Sequence, residues 1–475
     1  MNLSSFDSVI RILYLLAAAG FVVGLHLMNS PATARRGSRI STWAMVLAVA
    51  ATLAFMINDE HTRAWGWAVL AAGTVVGGAG GLLMAERVKL TDIPQLVSLF
   101  NAVGGGAAAL VAVFEFVQRS PHGGPGLTPR ILVTVVLDVV IGVITFTGSL
   151  IAAGKLQGWI SGAPVVWRGS RLLNGLLVAG SVAMAVIIFA GTYSDALLVG
   201  LCAALAVIGV LLVLPIGGAD MPVVISLLNA FTGTAVAMAG FVIDNSALII
   251  AGALVGASGT ILTKLMADAM NRSVLAIIAG GFGTGDTAVV TQGAGGASVV
   301  SVNADDAAIS LAYASKVIIV PGYGLAAAQA QHEVRALADL LEDRGVDVSY
   351  AIHPVAGRMP GHMNVLLAEA NVPYTQLKEM SEVNPEFPLT DVVLVIGAND
   401  VVNPAARRPG NAISGMPILD VDQARSVIVI KRSMGAGYSG LENELYTDPK
   451  TRMLFADAKA GLANLAASVK ELVGT

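Results

Sequence analysis

The sequence predicts a multi-pass α-helical membrane bundle of about nine spanning helices, followed by a cytoplasmic α/β domain built on a parallel sheet. Three observations predict it. The chain is 55% hydrophobic and 13% charged, with a mean hydropathy of +0.74, outside the range of soluble domains. Apolar runs of the length a bilayer requires, about 20 residues each, fill the chain as far as residue 268. From residue 308 onward the runs shorten, charge returns to soluble density, and strand patterns alternate with helical ones.

The spanning runs lie near 7–29, 38–57, 65–85, 92–117, 130–153, 172–190, 194–216, 221–242 and 246–268. The first has neither the basic flank nor the small-residue cleavage site of a signal peptide, so it is expected to span. Arg35, Arg36, Arg39, Arg87, Lys89, Lys155, Arg168, Arg171, Lys264 and Arg272 fall on one side of the bundle. Arg11, Arg63, Arg119 and Arg130 fall on the other, which places the N-terminus outside and the C-terminal domain in the cytoplasm. Residues 1–275 are thus expected to be the transmembrane domain, the Gly- and Ala-rich stretch 276–307 a flexible linker, and 308–475 the soluble domain. A net charge of −4 without a basic cluster argues against nucleic acid, and the single Cys202 excludes a disulfide framework or a Cys-based metal site. No metal is expected.

The bundle contains a repeat. DIPQLVSLFNAVGGGAAA (92–109) aligns without gaps to DMPVVISLLNAFTGTAVA (220–237), with nine identities in eighteen positions. Ser149 and Ser258 are each followed six residues later by Lys-Leu, so the next helices correspond too, and both copies run in the same direction. Asn101 and Asn229 then share one depth, roughly 14 Å from the cytoplasmic Asp-x-Pro. An amide at that depth either bridges helices or lines a polar pathway. Asp138, a carboxylate in mid-helix, favours a pathway, whereas Asp220 serves equally as a helix N-cap or a gate.

In the soluble domain KVIIVPGYGLAAAQAQHEV (316–334) reads as a strand, a Gly322-Tyr323-Gly324 turn and a helix start. That context makes the glycines a candidate Rossmann-like dinucleotide turn: Gly322 for the sharp bend, Gly324 for approach of a pyrophosphate, and Ala327, after Leu325 and Ala326, for close helix packing. Taken alone the pattern fits a plain α/β turn as well. Strands are expected at 317–320, 347–352, 392–396, 417–420 and 426–430, with helices at 325–343, 361–370 and 455–473. The second strand ends in His353-Pro354, without the acid that grips a ribose 2′-hydroxyl. Gly397-Ala398-Asn399-Asp400 closes another strand at the ligand edge, and the strand 426–430 leads into Lys431-Arg432-Ser433, which suits a phosphate monoester unless it is only a solvated strand end. Missing acid plus added cations points to NADP over NAD. His353 and His362, separated by Pro and Gly, suit backbone-bonding loop histidines rather than a metal pair. No Walker A, GxSxG or HExxH pattern occurs, which argues against an NTP-driven pump or a hydrolase.

VIIVPGYGLAAAQAQ, HPVAGRMPGHMNVLLAEANVPY, VLVIGANDVVNPAA, IVIKRSMGAGYSGLENELY and MLFADAKA together resemble the NADP(H)-binding domain of the proton-translocating NAD(P) transhydrogenase beta subunit; GGADMPVVISLLNA and FTGSLIAAGKLQG are similar to its membrane helices. The resemblance covers nearly the whole chain. It implies hydride transfer between NADH on a partner alpha subunit and NADP⁺ held here, coupled to inward proton translocation across a bacterial inner membrane by a dimer of alpha-beta units. It gives Gly322, Tyr323, Gly324, Leu325, Ala326 and Ala327 the fingerprint role, with the cofactor reversed relative to ordinary Rossmann folds. It places Arg358 at the pyrophosphate, Gly397, Ala398, Asn399 and Asp400 toward the nicotinamide, and Lys431, Arg432 and Ser433 at the 2′-phosphate. Asp400 is the candidate catalytic or coupling acid, and Gly437 and Tyr438 belong to a loop closing over the cofactor. Asn101, Ser149, Asp220, Asn229 and Gly259 match positions tied to proton translocation, although some members carry a histidine where this chain has Asn101. The competing class is an ion or proton transporter whose soluble domain senses NADP without chemistry; a scaffold with a degenerate nucleotide fold is disfavoured because every phosphate-binding residue type is present.

Overall fold

The computed structural model describes residues 5–28, 31–58, 63–119, 128–162, 164–270, 273–280, 299–359, 361–409, 411, 413–435, 437 and 439–473. The chain divides into two compact units: one holds nearly all of the membrane-length helices, and the other the α/β structure together with Gly218–Pro222 and Lys264–Ile277. Tyr438 and most of the expected linker lie outside the described residues.

The helical unit holds α1 (Ser5–Met28), α2 (Pro31–Asn58), α3 (Ala64–Arg87), α4 (Ile93–Arg119), α5 (Pro129–Gln157), α6 (Ser170–Phe189), α7 (Asp195–Val213), α8 (Met221–Val242) and α9 (Ser246–Ala269). Among the described residues these nine are long and apolar enough to cross a membrane, as the sequence predicts. Apolar side chains of α4, α5, α6 and α7 pack together, with Phe116, Val135, Leu198 and Leu201 at or below 1% exposure. Among the described residues, α3 buries no side chain.

The sequence repeat is a structural repeat. Each copy opens with a short 3₁₀ turn, Leu90–Asp92 before α4 and Gly218–Asp220 before α8. Each then crosses the next helix at a pair of glycines. A Cβ on Gly142 would lie 2.6 Å from the carbonyl oxygen of Gly105, and one on Gly252 would lie 2.6 Å from that of Gly233. Gly105 and Gly233 occupy equivalent positions in the two aligned segments. Only glycine lets helix backbones meet this closely. The copies differ at their lysines: Lys155 is buried and donates to the carbonyls of Leu214 and Ile216 (2.8 Å to the latter), closing the end of α7, whereas Lys264 is exposed.

The α/β unit follows α10 (Val274–Gly280) with α11 (Ala304–Ala312), β1 (Lys316–Pro321), α12 (Tyr323–Ala327), α13 (Gln331–Glu342), β2 (Asp347–Ile352), α14 (His362–Glu369), β3 (Leu377–Glu379), α15 (Met380–Val383), β4 (Val392–Ile396), β5 (Ser426–Lys431), β6 (Thr451–Phe455) and α16 (Ala458–Val473). The six strands form one parallel sheet in the order β3-β2-β1-β4-β5-β6. All five residues of β4 are buried, as a strand covered on both faces requires. Strand order reverses between β1 and β4, and such sheets hold ligands outside the carboxyl ends of their strands at that reversal.

Four local expectations are corrected. Residues 417–420 are not a strand: the Leu419 amide donates to Val401 and the Ile418 carbonyl accepts from Asn384, so isolated bonds replace a ladder. β3 and β6, unpredicted, are the two sheet edges, where Lys378, Glu379 and Arg452 interrupt any apolar run. The expected helix 325–343 is two helices, because Gln329 takes a left-handed φ of 51° between α12 and α13. α11 lies partly inside the expected linker; Asn303 caps it by accepting from the Asp306 amide at 2.8 Å, and Ser301 bridges Met453 of β6.

Candidate functional site

The loops after β2, β1, β4 and β5 follow one another along the carboxyl edge of the sheet. They hold, in that order, Arg358, Gly322 to Gly324, Gly397 to Asp400, and Lys431 to Ser433. Three strand spacings of about 4.8 Å give this row a span of about 14 Å.

At its centre two backbones touch. Gly322 N donates to Ile396 O and Gly324 N to Gly397 O, each at 2.9 Å. A Cβ on Gly322 would sit 2.4 Å from the Ala398 backbone, and one on Gly324 would sit 2.6 Å from Gly397 Cα. Gly397 itself has φ +63°. Here the glycines are needed because the β4 loop packs on the β1 turn. α12 has only five residues, too short to present the dipole of a full helix to a pyrophosphate. Its Leu325 and Ala326 are buried.

Beyond β2 the two histidines brace the loop. His353 Nε2 donates to the Pro417 carbonyl at 2.8 Å while its Nδ1 accepts from the Val355 amide. His362 Nδ1 accepts from the Arg358 amide at 3.0 Å, and Gly357, at φ +103°, leaves room for that ring. The Arg358 guanidinium lies 4.4 Å from the centre of the Tyr323 ring. Burial lowers both histidines to about 4, with Arg358 pushing His362 the same way and the Pro417 carbonyl opposing the shift at His353. Both are therefore neutral in the folded domain at physiological pH, as the sequence reading expects of backbone-bonding histidines. An unfolded histidine takes its proton near pH 6.5, so the unfolded chain binds more protons between pH 6.5 and 4 and stability falls as pH falls through that window. Hydrogen exchange of β1 and β2 amides should show the domain losing about 3 kcal/mol per histidine between pH 7 and 4. Unchanged protection would mean the rings are not buried neutral.

On the other side, Asp400 latches the loop after β5. Its Oδ1 accepts from Ser439 Oγ at 2.6 Å and its Oδ2 from the Ser439 amide at 3.1 Å. Lys431 Nζ lies 4.6 Å from the centre of the Tyr446 ring and donates to the Gly435 carbonyl. Burial lowers the Lys431 pKa and the Asp400 carboxylate opposes that. Arg432 and Ser433 are exposed, and Arg432 makes no ion pair among the described residues. Sequence reasoning missed the residues that stitch this side together. Asn443 Nδ2 donates to Asn399 O and Oδ1, the Tyr446 hydroxyl donates to Ala398 O at 3.0 Å, and Asn403 donates to Glu442 O. Asn443 and Tyr446 lie in the GLENELY stretch, whose clustered amide and phenol were the available signal.

In the helical unit, buried Asn101 donates to the Ile225 carbonyl of α8 at 3.3 Å, and Thr232 donates back to Asn101 O. Asn229 lies one turn beyond Ile225, half-buried; among the described residues no hydrogen bond joins the two amides. Gly259 marks a close crossing, since a Cβ there would lie 2.9 Å from the Ala230 backbone, and its carbonyl accepts from Ser226 and Thr263. Ser149 is buried, with Ser98 donating to its carbonyl at 2.8 Å. Asp138 is buried on α5, and Asp220 is buried in the turn before α8. No group of His, Cys, Asp and Glu suited to a metal occurs among the described residues.

A multi-pass membrane bundle carrying a doubly wound parallel sheet, with two glycine turns meeting at the reversal of strand order, defines a membrane protein with a Rossmann-like domain of the dinucleotide-binding class. The model of the NAD(P) transhydrogenase beta subunit family matches residues 10–468, and the chain belongs to that family. It is 48% identical over 451 residues to the NAD(P) transhydrogenase subunit beta of Rhodospirillum rubrum, covering 94% of this chain and 96% of the relative. The subunit from Rhodospirillum rubrum strain ATCC 11170 matches to the same extent. The chain is thus a subunit of an oxidoreductase.

Proposed function

We propose that the carboxyl edge of the sheet binds NADP(H), that hydride passes between this nucleotide and NAD(H) on a partner alpha subunit, and that the transfer is coupled to inward proton movement through the helical unit. The observation that carries NADP is the exposed Arg432 beside Ser433 at the end of β5, set against a β2 end closed by His353 and Pro417 with no acid. Arg432 and Ser433 hold the 2′-phosphate with Lys431 behind them, Arg358 the pyrophosphate, and Asp400 the loop over the nicotinamide side. The β1 and β4 glycines keep the two central turns together beneath the cofactor. Bound NADP supplies the hydride acceptor; the protein supplies position, which is most of the catalysis when neither nicotinamide needs an acid or a base. Protonation in the bundle and nucleotide binding in the α/β unit then form two linked sites.

Residues 1–275 form the proton-translocating domain in this reading, with Asn101, Ser149, Asp220, Asn229, Gly259 and Asp138 along or beside its pathway. The assembly is a dimer of alpha-beta units in a bacterial inner membrane, N-terminus outside and α/β unit in the cytoplasm. Titrating the full chain in detergent with NADP⁺ and NAD⁺ tests the assignment. NADP⁺ should bind more tightly, and Arg432→Ala should weaken it by about 1.5–3 kcal/mol while leaving NAD⁺ unchanged. Equal affinity of the unaltered chain for both nucleotides would sink the site. NADPH should reduce an acetylpyridine NAD analogue only when the alpha partner is present; ion flux without that reduction favours an NADP-sensing transporter instead.

A further inference from the structure

We propose that Asp138 is the group in the membrane bundle that takes up and releases the translocated proton, exchanging it with water. This rests on the proton-coupling reading above and assigns it a carrier.

Asp138 is 0% exposed, and neither carboxyl oxygen has a hydrogen-bond partner among the described residues. A carboxyl kept for packing would bond to a backbone or side-chain group, because an unpaired buried polar group is costly. Among the described residues, the helices around it offer no fixed counter-ion. On α4, Glu115 is joined to Arg119 at 2.5 Å, and the register that sets Ser98 against Ser149 and Gly105 against Gly142 brings Ala109 and Ala112 to the depth of Asp138. The titratable residues of α7 are Asp195, at its first turn, and Cys202. α8 carries no charged residue, and α6 only Arg171 in its first turn, with buried Asn174 and Ser181 further along. On α5 itself, Arg130 lies two turns outward, 5.8 Å from the centre of the Phe241 ring, and Lys155 is held by the end of α7. With no fixed cation set against it, the carboxyl is left open to exchange a proton with water, as a carrier requires.

Two hydroxyl side chains continue its stripe inward along α5. Thr145 and Ser149 stand seven and eleven residues further along α5, both 0% exposed. At 100° per residue these offsets keep all three on one stripe, with Ser149 about 16 Å inward along the axis. Thr145 Oγ1 donates to Ile141 O, which leaves its lone pairs for an incoming donor, and Ser149 Oγ is buried without a partner among the described residues. Hydronium on the outer side gives a proton to a carboxylate oxygen: an O–H bond forms on Asp138, one O–H bond of hydronium breaks, and water remains. The reverse step hands the proton to water ordered by Thr145 and Ser149. No electron is transferred.

The experiment uses the alpha-beta complex in proteoliposomes, with a dye reporting lumen acidification and an NAD analogue reporting hydride transfer. Asp138→Asn, close in shape to the neutral acid, should bind NADP⁺ normally but acidify about 100-fold more slowly, with coupled turnover falling alongside. Asp138→Glu should restore part of the flux with a displaced pH profile. The unaltered complex should show an infrared carboxyl carbonyl band that Asp138→Asn removes. Acidification by Asp138→Asn at the unaltered rate, or its retention of the carboxyl band, would overturn the assignment while leaving proton coupling intact. Hydride transfer without acidification in the unaltered complex would instead overturn the coupling reading, and the carrier with it. Should Asp138→Asn fail to assemble, an unshifted pH profile for Asp138→Glu would be the overturning result.

Discussion

Replacing Gly322 by alanine is expected to break the junction of β1 and β4 and to abolish nucleotide binding, while leaving the membrane helices folded. The new methyl carbon would lie 2.4 Å from Ala398 Cα, Ala398 N and Gly397 O. All three are backbone atoms, which cannot swing aside as a side-chain end can. The turns would have to part, and the 2.9 Å bond from Gly322 N to Ile396 O would stretch with them. Backbone overpacking of this kind should cost the α/β unit about 3 kcal/mol or more. The measurement is hydrogen exchange of β1 and β4 amides together with NADP⁺ titration of the full chain. Gly345→Ala is the control: φ is +82° there but nothing lies within 4 Å of the added carbon, so its cost should be about 1 kcal/mol, without loss of binding. Equal protection in Gly322→Ala and the unaltered chain would refute the close-approach argument.

Replacing Asp400 by asparagine is expected to free the loop after β5 without unfolding the sheet. The carboxylate accepts from both the amide and the hydroxyl of Ser439, and a Cβ on Gly437 would lie 2.5 Å from Oδ1. Asparagine has one acceptor oxygen where the carboxylate has two, and its NH₂ group cannot accept from an amide. Losing one charge-assisted bond costs about 1.5–3 kcal/mol, so NADP(H) should leave roughly tenfold faster or more and coupled turnover should fall. Stopped-flow release and thermal unfolding measured on the same preparation decide the matter. A collapse in stability with normal activity per folded molecule would make Asp400 a structural residue rather than a latch.

The membrane helices were legible because a spanning helix must satisfy its backbone internally and show an apolar face to lipid, which writes itself into some 20 consecutive residues. The repeat was legible for a related reason: Asp-x-Pro followed by Ser-Leu-x-Asn is unlikely twice by chance in apolar sequence, and the Gly105 and Gly233 crossings confirm it in three dimensions. β3 and β6 were not legible, since an edge strand has one partner and tolerates charges such as Lys378 and Arg452. The break at Gln329 was invisible because neither glycine nor proline marks it.

At the site, sequence by itself determined the residue types: two glycines after a strand, no acid after β2, and cations after β5. These are local demands of backbone space and charge, so they survive in a linear string. Only the tertiary structure decided what each one meets. Gly322 and Gly324 face the β4 loop, Lys431 lies against Tyr446, and Asp400 holds Ser439, a residue 39 positions away. Such pairings come from strand order, which brings β1 beside β4 although β2 and β3 intervene in sequence. In the bundle, likewise, the sequence placed Asp138 in mid-helix, but its isolation depends on which faces of α4 and α7 turn toward it. Apolar periodicity is compatible with many helix orders, and packing selects one.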